Sequence, residues 1–364
     1  MFDFSKKIIK FHEDHVRLTL EEQGDMRRRR EINLTRIKNG LSELGKPEVA
    51  ETINQGGYAQ KTMTQPPEAD EDSRYDIDLG VVFEKDDAAG PRTTRNWVRD
   101  AIAKKATNMK NDPATKKKCV RVIYRDGYQC DFPVFRRTWT ETGWNYELSS
   151  GDDWVASDPR AMNAWIKLQV STKSPEVEGS YQLRRIIRFV KFFFKVQAHR
   201  TGLKFPSGLV ATALAVECYS AQVGRDDLSF RETLRALSYR WKHSPVIANG
   251  CQISDDKDPD RIERAIDEAN AALDHLDTLD REDASEKDAL KAWKKVFRHS
   301  FFDETATSTN ALAGLEAKSA LGSPALSLGA LAGLTQEAKA ERMQSAVDAR
   351  IAQGGGSKPW ASRE

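Results

Sequence analysis

The chain has 364 residues, enough for one large or two ordinary domains with a substantial core. Hydrophobic residues make up 39% and charged residues 31%, the balance of a globular protein with a wet surface. Its 57 basic and 55 acidic residues leave a formal charge of +2, without the basic excess of a protein that holds long nucleic acid, so a small anion met by local basic groups is the expected partner.

Met1-Phe2-Asp3-Phe4 opens no long apolar run, so no signal peptide is expected. No stretch approaches the roughly 20 apolar residues of a membrane span. The four cysteines, Cys119, Cys130, Cys218 and Cys251, form no C-x-x-C pair and have no histidine at zinc-site spacing. They read as thiols of a reducing cytoplasm, and a cytoplasmic, monomeric protein is expected.

Residues 5–46 are charged, with apolar positions at helical spacing. Arg27-Arg28-Arg29-Arg30 reads as a solvated helix face, with contact to a polyanion as the alternative. His12-Glu13-Asp14-His15 is one residue short of H-E-x-x-H and reads as a surface helix turn. Residues 75–83 alternate and then become continuously apolar, the pattern of a strand buried at its far end. Residues 86–91 form a turn and Arg92 to Lys105 a helix. Cys119 to Tyr124 and Tyr128 to Phe135 flank Asp126-Gly127 as a hairpin.

From about 158 the pattern turns helical. Leu183, Ile186, Ile187, Val190, Phe193 and Phe194 form one apolar face. Arg184, Arg188, Lys191 and Lys195 form another. Leu209 to Tyr219 is an apolar helix, and charged helices follow over 259–302. The reading is α+β: a sheet domain with its N-terminal helix over 1–155, a helical domain over 156–302, and an Ala/Gly/Ser-rich flexible tail over 303–364. A short helix at about 335–352 and Ala-Leu-Gly repeats at 311–334 mark that tail.

The chemistry gathers around three carboxylates. Asp76 and Asp78 stand i, i+2 and so share one strand face. Asp131 lies in an apolar strand, where a carboxylate is costly unless paired or metal-bound. Nucleotidyl transfer uses two metals about 3.5–4 Å apart, and this set can hold them. Gln55-Gly56-Gly57-Tyr58-Ala59-Gln60 reads as a phosphate loop, its glycines admitting backbone amides close to oxyanions.

The combination resembles the polymerase β-like nucleotidyltransferases, and more closely the bacterial cGAS/DncV-like nucleotidyltransferases, the CD-NTases of CBASS antiphage defence. Residues 55–63, 75–80, 129–135, 157–160, 182–195 and 205–208 carry the resemblance, in the family's order. It implies a sheet domain and a C-terminal helical domain with the active site in the cleft between them. It implies Mg²⁺, two ions per site with Mn²⁺ able to substitute, bound by Asp76, Asp78 and Asp131. It implies synthesis of a cyclic di- or trinucleotide from ATP, GTP or other NTPs, read by a downstream effector.

The resemblance assigns Gln55 to Gln60 to the donor phosphates, and Lys191 and Ser207 to the triphosphate. Ser157 becomes a nucleotide contact at the lobe junction, and Arg121 faces the second nucleotide. On the residues alone Lys191 reads equally as part of a solvated stripe and Ser207 as a helix cap. Many relatives carry Gly-Ser where this chain has Gly56-Gly57, which removes one hydroxyl. The resemblance also suggests a partner joined through the C-terminal run Lys358 to Glu364; simple disorder is the alternative. The rival functions are a nucleotidyltransferase acting on RNA or protein and a non-catalytic nucleotide sensor.

Overall fold

The computed structural model describes residues 1–68, 70, 76–174, 176–177 and 180–303. The readings of Tyr75, of the 311–334 repeats, of the helix at 335–352 and of the Lys358 to Glu364 run lie outside the described residues.

Seven strands form one mixed sheet: β1 (Glu51–Asn54), β2 (Asp76–Glu84), β3 (Ala114–Thr115), β4 (Cys119–Ile123), β5 (Gln129–Thr140), β6 (Gly143–Ser150) and β7 (Asp153–Ala156). The order is β1-β2-β5-β4-β3; β6 pairs with β5 and β7 with β6. Among the described residues the α-helices are α1 (Ser5–Phe11), α2 (Leu20–Glu43), α3 (Gly56–Gln60), α4 (Pro91–Lys105), α5 (Ala161–Lys173), α6 (Gln182–Thr201), α7 (Gly208–Cys218), α8 (Asp226–Ser238), α9 (Asp258–Leu276) and α10 (Glu286–Phe297). The fold is α+β, as the sequence pattern implies. β1, β3, β6 and β7 add to that reading.

β2 and β5 are the parallel pair of the sheet. Parallel neighbours need a crossover, which here runs through α4, opened by Pro91 at its first position. The ladder sets Asp78 opposite Asp131 and Asp76 opposite Gln129. Past Asp78 the strand is buried almost to its end, as its apolar run requires. α2 opens on a Thr19–Glu22 capping box and lies against α4. The two helices approach at Gly40, where any Cβ would overlap the Ala101 backbone.

One core lies between the sheet and helices α2 and α4, with Met26, Ile37, Val81, Phe83, Val98 and Phe132 at its centre. A second, rich in aromatics, joins α6, α8 and α10 through Phe189, Phe193, Phe230, Trp293 and Phe297. Phe4, Ile8, Phe11 and Val16 belong to this second core, so the N-terminal helix packs with the helical half.

Two sequence readings change here. His12 is not on a surface turn: it is fully buried, in a wider π-type turn over His12–Val16. Its Nδ1 faces Glu13 at 2.8 Å and its Nε2 faces Arg188 at 3.2 Å. Burial pulls its pKa down to about 4. The arginine run is not a uniform solvated face either. Arg29 lies over the Tyr128 ring at 4.2 Å and pairs with Asp25 and Asp126, and Arg30 donates to Asn54 Oδ1 at 3.0 Å. Arg27 and Arg28 are the exposed members.

Candidate active site

Asp76, Asp78 and Asp131 meet at the start of β2 and β5, each offering an oxygen within 4.8 Å of the others. Asp76 stands at the open rim, Asp78 is half-buried and Asp131 is buried. Burial and like-charge repulsion raise both Asp76 and Asp78 above the usual carboxylate range. The effect is stronger at Asp78, which both other carboxylates repel, whereas a hydrogen bond from Gln129 holds Asp76 back. Three hard oxygen donors with surplus negative charge suit a divalent cation.

Asp131 already has a partner. Arg121, directly opposite on β4, grips it with Nε to Oδ1 at 2.8 Å and Nη2 to Oδ2 at 2.6 Å. These bonds raise the Arg121 pKa further. Arg121 is therefore placed on the third carboxylate, not on a free wall for a second nucleotide. Counting back from the Asp126-Gly127 turn would have revealed the pair, since antiparallel register sets them opposite.

Residues 56–60, read as a loop, form the short helix α3. Gly56 has φ +59°, and a Cβ there would overlap the Asp78 carboxylate, so glycine is required. A helix divides its side chains between faces. Gln55, Gly56, Gly57 and Gln60 line the cleft, a cavity of about 550 Å³ that also holds Asp76 and Asp78. Tyr58 and Ala59 instead line a separate cavity behind α3.

The opposite wall belongs to α6, whose basic stripe is not solvated as a whole. Arg188 Nη2 donates to Lys61 O at 2.6 Å, Lys191 Nζ to Thr62 O at 2.9 Å and Lys195 Nζ to Thr64 O at 3.3 Å. The helix thereby clamps the segment leaving α3. Burial, with Lys195 adding repulsion, pulls Lys191 down to about 7; Lys195, more open to water, moves the same way. Lys191, Lys195, Asn163 and Ser207 line the cleft facing the acids. Ser207 also caps α7, accepting from Val210 N at 3.4 Å, which is its cap reading.

Ser157 stands apart from this wall; its amide donates to Tyr146 O at 3.0 Å, and Pro159 and Asn163 occupy the junction. Lys195 and Asn163 went unassigned in the sequence reading. Gly57 is a tight spot: a Cβ would lie 3.0 Å from Met63 Cγ and 3.2 Å from Lys191 Nζ.

A mixed sheet with an Asp-x-Asp on one strand, a third aspartate on its parallel neighbour and a basic helix across the cleft has the polymerase β-like nucleotidyltransferase fold. Residues 50–135 match the family described as cyclic GMP-AMP synthase DncV-like, nucleotidyltransferase domain. Over that segment the chain carries a DncV-like nucleotidyltransferase domain.

A cyclic GMP-AMP synthase of Escherichia albertii is 25% identical over 202 residues, covering 52% of this chain and 43% of that protein. The match thus spans less than half the length of that relative. Vibrio cholerae DncV cyclic AMP-GMP synthase superposes with a TM-score of 0.64 at 14% identity, covering 84% of this chain and 98% of that one. The same enzyme in complex with a linear intermediate, 5' pppA(3',5')pG, gives 0.61 at 14% identity over 81% and 95%. Escherichia coli DncV with 3'-deoxy GTP gives 0.62 at 14% identity over 83% and 98%. At such identities the structural likeness establishes the fold. Among the described residues no helix is long and apolar enough to cross a membrane.

Proposed function

We propose that this chain joins NTPs into a cyclic di- or trinucleotide, releasing pyrophosphate at each step, as the signal-producing enzyme of a cytoplasmic CBASS antiphage system. The observation that carries the reading is Lys191 and Lys195 facing Asp76 and Asp78 across one cleft, with Asp131 beside those acids and all three acids inside the DncV-like domain of residues 50–135. Two divalent cations, Mg²⁺ or Mn²⁺, held by Asp76, Asp78 and Asp131 would neutralise the triphosphate and acidify the attacking hydroxyl.

The protein's own groups do the positioning. Lys191 and Lys195 meet the β- and γ-phosphates, and the cleft face of α3 fixes their approach. Asn163 and Ser207 offer polar contacts to the nucleoside. A ribose hydroxyl attacks the α-phosphate, the bond to pyrophosphate breaks, and the hydroxyl proton passes toward Asp131 once Arg121 has moved aside. The linear product reverses in the cleft and closes by the same step. The linear intermediate in complex with Vibrio cholerae DncV supports this order.

The test is direct. The full chain is incubated with NTPs and Mg²⁺ and the products are read by mass spectrometry after nuclease digestion. A cyclic product without added polymer is expected, and its mass gives base content and ring size. Incorporation only into added RNA or protein would overturn the reading.

A further inference from the structure

At the opposite end of β2 from Asp76, the sheet half holds a second basic cavity, of about 630 Å³. α4 sets Arg92, Arg95 and Arg99 at i, i+3 and i+7, on one helix face. The turn from β3 to β4 brings Lys116 and Lys117 to the same cavity, and Asp152 is the lining carboxylate. Gly151 N donates to Lys117 O at 2.8 Å, tying the β6–β7 turn to that rim. Arg99 pairs with Asp100 at 2.7 Å; Arg92, Lys116 and Lys117 form no ion pair among the described residues.

Arg95 is the telling member. It is 2% exposed, yet its hydrogen bonds go to neutral acceptors, the Ser149 hydroxyl and the Gly151 carbonyl. Its Nε–H is buried with no partner among the described residues. Burial lowers its pKa, with Asp152 opposing and Arg92 adding to the shift. A buried guanidinium without an anion in contact is costly, and nearby cations increase that cost. An anion in the cavity would offset both.

We propose that this cavity is a second phosphate-binding site, separate from the cleft, that takes the di- or triphosphate group of a small molecule. The volume is that of a small-ligand site. A nucleic-acid surface would need the basic face to continue, and it does not: Lys104 and Lys105, further along α4, both turn to Glu43.

Inorganic tripolyphosphate titrated into the full chain with EDTA, at physiological salt, tests the proposal by calorimetry. Two sites are expected. Arg92→Glu with Lys116→Glu and Lys117→Glu, all exposed positions, should weaken one by about tenfold or more, the scale of lost charge-assisted contacts. Lys191→Ala with Lys195→Ala should remove only the other. Tripolyphosphate should also raise the melting temperature of the cleft variant and not that of a variant lacking both sites. One site abolished by the cleft variant, or an unchanged triple variant, overturns the proposal. So does a short DNA duplex that binds more tightly than tripolyphosphate and is lost with the triple variant.

Discussion

On the sheet side of the cleft, three carboxylates are fixed by strand register, and each could be removed without breaking a ladder hydrogen bond. On the helical side, the cations are fixed by their own bonds to carbonyls of residues 61–64, so the same side chains that face a ligand also join the two halves of the molecule. Both walls concentrate like charge. The acidic wall needs a cation and the basic wall an anion, and a metal-bound nucleotide triphosphate brings both. The difference is that the acidic wall is separable from the fold and the basic wall is not.

The sharpest way to break the comparison is at the acids. Asp76→Ala with Asp78→Ala should lower NTP turnover by about 10³-fold or more, the scale of several kcal/mol of transition-state charge stabilisation. Melting temperature should hold or rise, because repulsion is relieved. Radiolabelled NTP incorporation and a thermal melt together check this, and a collapsed melt would show the acids to be structural after all.

The basic wall should respond on both axes. Lys191→Ala is expected to raise the KM for NTP by about tenfold and, unlike the acid variants, to lower the melting temperature as Thr62 O loses its donor. Arg121 lies between these cases, a cation that belongs to the acidic wall. Arg121→Ala frees both oxygens of Asp131, so Mn²⁺ binding followed by magnetic resonance should tighten by a few-fold. Weaker binding would mean that Arg121 organises the site instead of occupying it.

Without metal the acids also predict a pH signature. A carboxylate whose folded pKa is raised stabilises the fold at low pH and loses that contribution as pH climbs through the folded value. Asp78 is shifted from 3.8 to about 7, so its contribution falls between about pH 4 and 7. His12, pulled down to about 4, acts in the opposite direction over the same range, so the informative quantity is a difference. The melting temperature of Asp78→Asn minus that of the native chain should grow as pH rises across that window, and Mg²⁺ should shrink it. A flat difference would place Asp78 at an ordinary carboxylate pKa.

How much of this was legible depends on the range of the interaction. Asp76 and Asp78 are read from period-two alternation, and Asp131 from a charge in an apolar strand; both signals are local. The parallel register that sets Asp78 against Asp131 joins residues far apart in sequence, and no local pattern encodes it. That residues 58 and 59 line the cavity behind α3 is not legible from a loop reading, which gives no faces, whereas a helix sends them away from 56, 57 and 60. Lys195 and Asn163 enter the site only through the packing of one half on the other. His12 carried a readable signal: it follows Ile8 by four residues, on the buried side of α1.

The smallest predicted effect concerns Lys61, where the clamp from α6 meets the end of α3. Its φ of 57° lies in the left-handed region, which costs a side-chain-bearing residue about 1 kcal/mol. Nothing in Lys61's own preference explains that conformation; Arg188 on its carbonyl and Thr62 N on Gly57 O impose it. Lys61→Gly removes the strain but adds freedom to the unfolded chain, so the net gain should be about 0.5 kcal/mol, a rise of roughly 1–2 °C. The KM for NTP should not move, because the Lys61 side chain lines the cavity behind α3 and not the cleft. Lys61→Val, unable to adopt the conformation easily, should lower the melting temperature instead. If Lys61→Gly lowered it as well, the basic wall would be held by the lysine side chain and not by the clamp on its backbone.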